Sequence, residues 1–250
     1  MPSKVSIQNL TMSYRLKDRM VTALKGIDLE IADGEFLVVV GLSGCGKTTL
    51  LNILAGFLAP TGGEVLLDGQ PIAQAGLMNR GVVFQEYALF PWRTALQNVE
   101  FGLEMKGVER SKRRETALKY LDLVHLTNFT DAYPHHLSGG MKQRVAVARA
   151  YAYEPEFMLM DEPFGALDAQ TRESLQALTV EIWQKTRKTI FYVTHNISEA
   201  VYLADRIIVL TGQPGRIHRE IRVDLPRPRD PFDPRYVQLE QDTTRAVRHS

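Results

Sequence analysis

The stretch GLSGCGKTTL at positions 41–50 sets three glycines and a lysine between an aliphatic run, EFLVVV, and an apolar helical pattern, TTLLNILAG. Glycine is entropically costly to hold in one conformation, so a loop this rich in it needs a compensating ligand. Gly41, Gly44, Gly46, Lys47 and Thr48 satisfy G-x-x-x-x-G-K-[ST], with a strand expected before and a helix after. In that setting the loop, which includes Ser43 and Cys45, turns successive backbone N–H groups inward around phosphate oxygens. Lys47 then reaches the terminal phosphates and Thr48 offers a hydroxyl to Mg²⁺. The helix opened by Thr48 and Thr49 points its positive end at the same charge. Cys45 contributes only backbone, and alkylating it is expected to crowd the cradle and block nucleotide binding.

Two further stretches carry chemistry. FMLMDEP puts Asp161 and Glu162 at the carboxyl end of an apolar strand, where open α/β sheets bind ligands. An isolated acidic pair could merely cap a strand. Downstream of a phosphate loop, Asp161 is expected to hold Mg²⁺ and Glu162 to orient and activate the attacking water. LSGGMKQR, at 137–144, is a second glycine-bearing helix start and so a second potential anion site. One ATP needs one cradle. A second phosphate-facing element therefore implies that two copies, head to tail about a two-fold axis, each lend this motif to the other's nucleotide.

The elements that must position these residues are legible in part. KVSIQNLTMSY and ALKGIDLEI alternate as strands, and EFLVVVG has the unbroken apolar pattern of a strand buried on both faces. TTLLNILAGFL reads as a helix ended by Gly56 and Pro60, and GEVLLDGQPI as a hairpin turning at DG. From about 95 to 150 the signal is helical; RSKRRETALKYLDLVHL carries Ala117, Leu118, Leu121 and Val124 at helix spacing. EFMLMDEP and TIFYVTH are strands separated by the helical AQTRESLQALTVEIWQKT. The order points to a parallel-sheet α/β core interrupted by a helical insertion. Four prolines between 226 and 234 make the tail an extended linker or surface strap.

Bulk composition narrows the class. With 250 residues, 44% apolar and 24% charged, the chain is an ordinary globular protein. A net charge of +1 gives no broad field for nucleic acid, and the basic cluster RSKRR reads as a solvated face before a binding patch. One cysteine precludes an internal disulfide and fits a reducing compartment. The N-terminus lacks the apolar core of a signal peptide, and no apolar run reaches the roughly 18 residues of a membrane span.

The set GLSGCGKTT, FQ, LSGGMKQR, MLMDEP, GALD and THNISEA, in this order over nearly the whole chain, resembles the ATP-binding cassette (ABC) ATPases. The resemblance implies a P-loop NTPase, RecA-like core with an N-terminal antiparallel β subdomain and an inserted α-helical subdomain. The expected organisation is one ATPase domain over 1–225, its helical insertion at about 88–150, and a tail at 226–250. By the same resemblance Tyr14 stacks on adenine, Gln85 senses Mg²⁺ and links the site to a partner, and His195 contacts the γ-phosphate. Ser138, Gly139 and Gly140 touch the nucleotide of the opposite subunit, and Asp168 lies across the dimer interface. Lys47, Gln85, Glu162 and His195 form the implied catalytic set, and Thr48, Gln85 and Asp161 the metal set. Leu42 stands where the family often has proline, and Asn196 where aspartate commonly follows the histidine.

Hydrolysis must be coupled to something. Phe90, Pro91 and Trp92 follow Gln85 closely, as a buried turn or as the apolar lip of a groove that receives a partner's helix. LFPW, with the later LTGQPGRI and DLPRPR, resembles the subgroup energising import of nitrate, taurine, alkanesulfonates and related oxyanions. That implies a peripheral subunit on the cytoplasmic membrane face, a separate permease, a second ATPase subunit, and indirectly a solute-binding protein. Importers of other small solutes and non-transport cassettes are the alternatives. Only about fifty residues separate Gln85 from Leu137, which leaves little room for the coiled coil of repair-type cassettes.

Overall fold

A computed structural model describes residues 3–16, 19–75 and 79–248, with the side chain of Leu16 outside that set. The chain divides into two compact units, Met1–Leu77 with Arg187–Ser250, and Met78–Thr186.

The first unit opens with two long strands, β1 (Ser3–Leu16) and β2 (Arg19–Ala32), paired antiparallel. β4 (Gly62–Leu67) pairs antiparallel with β1 on its other side, and β5 (Gln70–Pro71) completes the hairpin expected at DG. Asp68 and Gly69 both have positive φ, 51° and 75°, the backbone a two-residue I′ turn demands. A second sheet centres on β3 (Phe36–Val40), whose five residues are all buried. β8 (Thr189–Val193) and β9 (Arg206–Thr211) flank β3 in parallel, and β10 (Arg216–Arg222) pairs antiparallel with β9. Burying each Val, Leu or Ile of β3 and β8 is worth roughly 1.5–3 kcal/mol relative to exposure. Three helices pack on these strands: α1 (Lys47–Ala55), α6 (Ile197–Leu203) and α7 (Pro234–Arg248). α1 stops at Gly56, whose φ of 78° lets its N–H and those of Phe57 and Leu58 return to the Ile53 and Asn52 carbonyls.

The proline-rich stretch forms neither helix nor strand, bending at 227–228 and turning at 231–232, and the chain then enters α7, a helix that its sequence does not announce. Pro234 sits at its first residue, where a missing N–H costs nothing. Tyr236, Thr243, Ala246 and Val247 form its buried side.

The second unit pairs β6 (Arg80–Val83) and β7 (Phe157–Asp161) in parallel. Its helices are α2 (Ala95–Met105), α3 (Arg110–Leu123), α4 (Gly139–Ala152) and α5 (Ala169–Thr186); α2, α3 and α4 pack on one another. Thr94 and Gln97 close a reciprocal capping box at the start of α2. Arg110, Lys112 and Arg114 of the basic cluster are exposed on α3.

Asn98 in α2 is fully buried and organises the turn before that helix. Its Oδ1 accepts from the Phe90 N–H at 2.8 Å, and its Nδ2 donates to the carbonyls of Phe90 (3.2 Å), Arg93 (3.0 Å) and Thr94 (2.9 Å). Asn98→Ala strands these backbone groups, and urea unfolding is expected to register a loss of about 1–3 kcal/mol. An unchanged midpoint would show that the turn holds itself.

Candidate functional site

The residues singled out in the sequence fall into two sets, one in each unit. In the first unit, β3 ends at Val40 and the phosphate loop begins. Gly44 and Gly46 have φ of 83° and 95°, left-handed conformations costly for any residue with a side chain. Gly41 tolerates no Cβ, which would stand 2.2 Å from the Leu210 carbonyl oxygen. Gly46 is the N-cap of α1 and offers no side-chain acceptor to the first turn of the helix. Lys47 is 7% exposed; its ammonium donates to the carbonyl oxygens of Gly41 at 2.8 Å and Leu42 at 3.1 Å. The cation thus turns back over the hollow of its own loop, where a polyphosphate oxygen would be its natural partner.

A second loop supports the first. A Cβ on Gly215 would stand 2.0 Å from the Cys45 carbonyl oxygen, and one on Gly44 2.8 Å from the Gln213 side-chain nitrogen. Gly215 also exchanges backbone hydrogen bonds with Ala23 (2.8 Å) and Lys25 (3.0 Å) of β2. Residues 212–215 of LTGQPGRI therefore buttress the phosphate loop. The sequence offered a signal, glycines flanking a proline, but not its target.

Tyr14 lies on β1 with its hydroxyl 3.2 Å from the Thr49 hydroxyl, which brings the ring to the first turn of α1. His195 leaves the end of β8 and is exposed. Thr194 before it is held by the Val39 carbonyl (3.1 Å), and Asn196 after it caps α6 by accepting the Glu199 N–H at 3.1 Å. An asparagine serves that cap as well as an aspartate. Ser43, Thr48 and Leu42 are exposed around the loop, and Thr49 is half-buried.

In the second unit, β7 delivers Asp161 and Glu162, both half-buried. Glu162 has a φ of 44°, an uncommon conformation for a residue with a side chain and one that clusters at functional positions. The turn closes through the Gly165 N–H on the Glu162 carbonyl at 3.0 Å. A Cβ on Gly165 would stand 3.4 Å from the Gln85 side-chain nitrogen and 3.8 Å from a Glu162 carboxylate oxygen. Gln85 and the Glu162 carboxylate thus converge on one point that only glycine leaves open.

Ser138 caps α4, its hydroxyl accepting the Met141 N–H at 3.3 Å. The two glycines after it have packing reasons to be glycine. A Cβ on Gly139 would meet the Tyr87 hydroxyl at 2.9 Å, and one on Gly140 the Thr171 methyl at 2.5 Å. Arg144 anchors the same helix to the Val124 carbonyl (3.0 Å) and the Ser174 hydroxyl (2.9 Å). Asp168 accepts the Thr171 N–H at 3.0 Å at the start of α5, and that bond holds its carboxyl below the usual range. Arg149 donates to the carbonyls of Tyr87 (3.2 Å) and Ala88 (2.6 Å), fixing the segment that follows Gln85; burial lowers its pKa. Its guanidinium lies over the Phe90 ring, which also packs on Phe101 at 4.5 Å and Trp92 at 5.6 Å. Phe90 is half-buried, whereas Trp92 is 70% exposed.

Chemically, the first set is a cradle for a polyphosphate beside an imidazole, and the second joins a carboxylate pair to an amide. Each unit brings hard oxygen donors of the kind Mg²⁺ prefers, the Thr48 hydroxyl in the first and the Gln85 amide oxygen and Asp161 carboxylate in the second. Among the described residues no helix is long and apolar enough to cross a membrane.

Comparison with known proteins agrees with this chemistry. The family model described as ABC transporter matches residues 24–165. The nitrate import ATP-binding protein NrtD of Synechocystis sp. is 50% identical over 222 residues, 89% of this chain and 83% of that protein. The taurine import ATP-binding protein TauB of Roseobacter denitrificans is 49% identical over 220 residues, 88% of this chain and 82% of that protein. Among solved structures, the dimeric post-hydrolysis state of the ATP-binding cassette MJ0796 bound to ADP and Pi aligns with a TM-score of 0.79. It is 36% identical and covers 88% of this chain and 99% of its own.

The alkylation expected to block the cradle meets a limit of access at Cys45. The Cys45 side chain is 3% exposed, and its sulfur lies close beneath Gly41 rather than at the loop's mouth. Burial raises the thiol pKa, outweighing the nearby Lys47 charge. The reactive thiolate is therefore scarce at neutral pH. Iodoacetamide at pH 7 is expected to label native protein at least about tenfold more slowly than urea-unfolded protein, with the native rate climbing as pH passes 9. Equal rates at pH 7 would place the thiol at the surface.

Proposed function

The chain belongs to the ABC transporter family, and from that premise we propose that it is the ATP-hydrolysing subunit of an importer. Its cargo is a small oxyanion, taurine or another alkanesulfonate, or nitrate. The observation that carries the reading is the buried Lys47 ammonium folded over a glycine cradle that has no side-chain cap of its own. The import role and the cargo class are supported by the relatives named for nitrate and taurine import.

In this reading Tyr14 stacks on the adenine, and the loop N–H groups of Gly41, Ser43, Gly44, Cys45, Gly46, Lys47, Thr48 and Thr49 gather the phosphates. Lys47 exchanges its carbonyl partners for phosphate oxygens, a stronger charge-assisted contact. Thr48, Gln85 and Asp161 would hold Mg²⁺, which when bound would neutralise charge on the phosphate oxygens. Glu162 accepts a proton from the attacking water at its carboxylate, and Gln85, converging on the same point, helps orient that water. His195 donates a hydrogen bond to the γ-phosphate. Ser138, Gly139 and Gly140 close on the nucleotide of a second copy, and Asp168 lies across that interface. The similar cassette, dimeric and bound to ADP and Pi, supports a dimer that binds nucleotide.

The assembly sits on the cytoplasmic face of the membrane against a separate permease that a solute-binding protein supplies. Trp92 is the anchor offered to the permease. It is large, exposed, and held by a turn that Asn98 and Arg149 fix from behind. Aromatic anchors of this kind dominate interface energies.

Two variants test the reading. Glu162→Gln is expected to bind ATP and accumulate as a dimer on size exclusion while steady-state phosphate release falls at least about 100-fold. Release near the wild-type rate would overturn the general-base assignment. Trp92→Ala is expected to weaken co-purification with the permease by at least about tenfold. Undiminished co-purification would remove Trp92 from the docking surface.

A further inference from the structure

DLPRPR marked the importer subgroup in the sequence without any physical role, and the structure gives its arginines one. Arg229 is 6% exposed, and its guanidinium donates to the carbonyls of Val201 (2.7 Å), Tyr202 (3.0 Å), Val223 (3.3 Å) and Leu225 (3.3 Å). Arg227 donates to the Leu203 carbonyl and pairs with Asp205 at 2.6 Å. Val201, Tyr202 and Leu203 are the last three residues of α6, whose carbonyls have no partner within the helix. Two side chains from the tail therefore cap that end. Burial, with Arg227 close by, pushes the Arg229 pKa down to about 10, so the cap stays charged at neutral pH.

The other end of α6 is held from α7. Tyr236 is buried, and its hydroxyl donates to the Ser198 carbonyl at 2.7 Å with the Ser198 hydroxyl 3.2 Å away. α6 has seven residues, too few to hold its shape by helical hydrogen bonding alone. Its position is set by these contacts and its packing on β3. His195 immediately precedes the Asn196 cap, so the placement of α6 fixes where the imidazole starts. The last turn of α7 reaches the same place: Thr244, Val247 and Arg248 line a cavity of about 310 Å³ with Leu42, Ser43 and His195.

We propose that the tail from residue 225 to 248 is a clamp for His195, with Arg229 and Tyr236 as positioning residues that act on ATP turnover through α6. The inference rests on the assignment of His195 to the γ-phosphate. It predicts that loosening the hold on α6 slows turnover without weakening nucleotide capture, because neither Arg229 nor Tyr236 bonds to the phosphate loop.

The test is steady-state ATP hydrolysis by the full chain in four forms: wild type, His195→Ala, Tyr236→Phe and the double variant. Tyr236→Phe keeps the buried ring and removes the hydroxyl's two hydrogen bonds to Ser198. It is expected to lower kcat about three- to tenfold, with KM for ATP within about twofold of wild type. In the His195→Ala background the same substitution should cost nothing further, because its route to the reaction is gone. Arg229→Met risks the fold itself, so the decisive variant is Tyr236→Phe; Arg229→Lys should recover part of any loss in a folded Arg229→Met. Wild-type kcat in Tyr236→Phe, or penalties that multiply in the double variant, would overturn the clamp. Wild-type kcat in His195→Ala would instead overturn the γ-phosphate assignment, leaving the clamp nothing to act through.

Discussion

Lys47 bonded to the carbonyls of Gly41 and Leu42 is the contact on which the rest depends. A buried ammonium is tolerable only while its charge is satisfied. Two neutral carbonyls suffice to hold it, but they make a weaker partner than a phosphate. The loop is therefore stable without ligand and improved by one, which is what a nucleotide site that must load and unload requires. Its conformation is imposed by neighbours that leave no alternative: the Leu210 carbonyl crowds Gly41, Leu24 crowds Gly46, and Gly215 lies against the Cys45 carbonyl. β2, β9 and the loop after β9 together form the mould in which the phosphate cradle is cast.

How much of this was legible follows from how local each cause is. β3 and β8 announce themselves as unbroken apolar runs, because a strand buried on both faces has no polar position to spare. The hairpin at Asp68 and Gly69 was readable because few residue pairs accept positive φ twice in succession. The phosphate loop, the acidic pair and the helix start at Ser138 were readable because each is a short motif whose chemistry needs adjacent residues. α7 was not. Its prolines argued for extended chain, and its buried side repeats too sparsely among charged residues to outvote them. What the helix packs against is distant in sequence, so its stability is tertiary.

The same distinction separates a residue's type from its reason. Gly139 and Gly140 read as phosphate-facing glycines, and the structure adds a second reason for the type: Tyr87 and Thr171 occupy the space their side chains would need. Cys45 sat inside the nucleotide motif, yet its sulfur is buried beneath the loop. Asn98 and Arg149 carried no motif, and Arg229 stood in DLPRPR with no physical role attached; Asn98 and Arg229 are buried and Arg149 half-buried. Each is a polar side chain bonded to backbone carbonyls, and carbonyls are invisible in a sequence because every residue has one.

Within the second unit those buried polar contacts make one mechanical body of elements that the sequence presents separately. Arg149 projects from the same helix that Ser138 caps, holds the carbonyls of Tyr87 and Ala88, and lies over the Phe90 ring. Asn98 pins Phe90 to α2, and Phe90 packs on the exposed Trp92. Trp92 is thus linked through Phe90 and Arg149 to the carbonyls of Tyr87 and Ala88 and to the last turn of α4. Gln85 in turn shares with the Glu162 carboxylate the point that Gly165 leaves open. The turn that presents Trp92 and the point shared by Gln85 and the Glu162 carboxylate are therefore held by the same few residues, 85 to 90, and by the side chains packed on them.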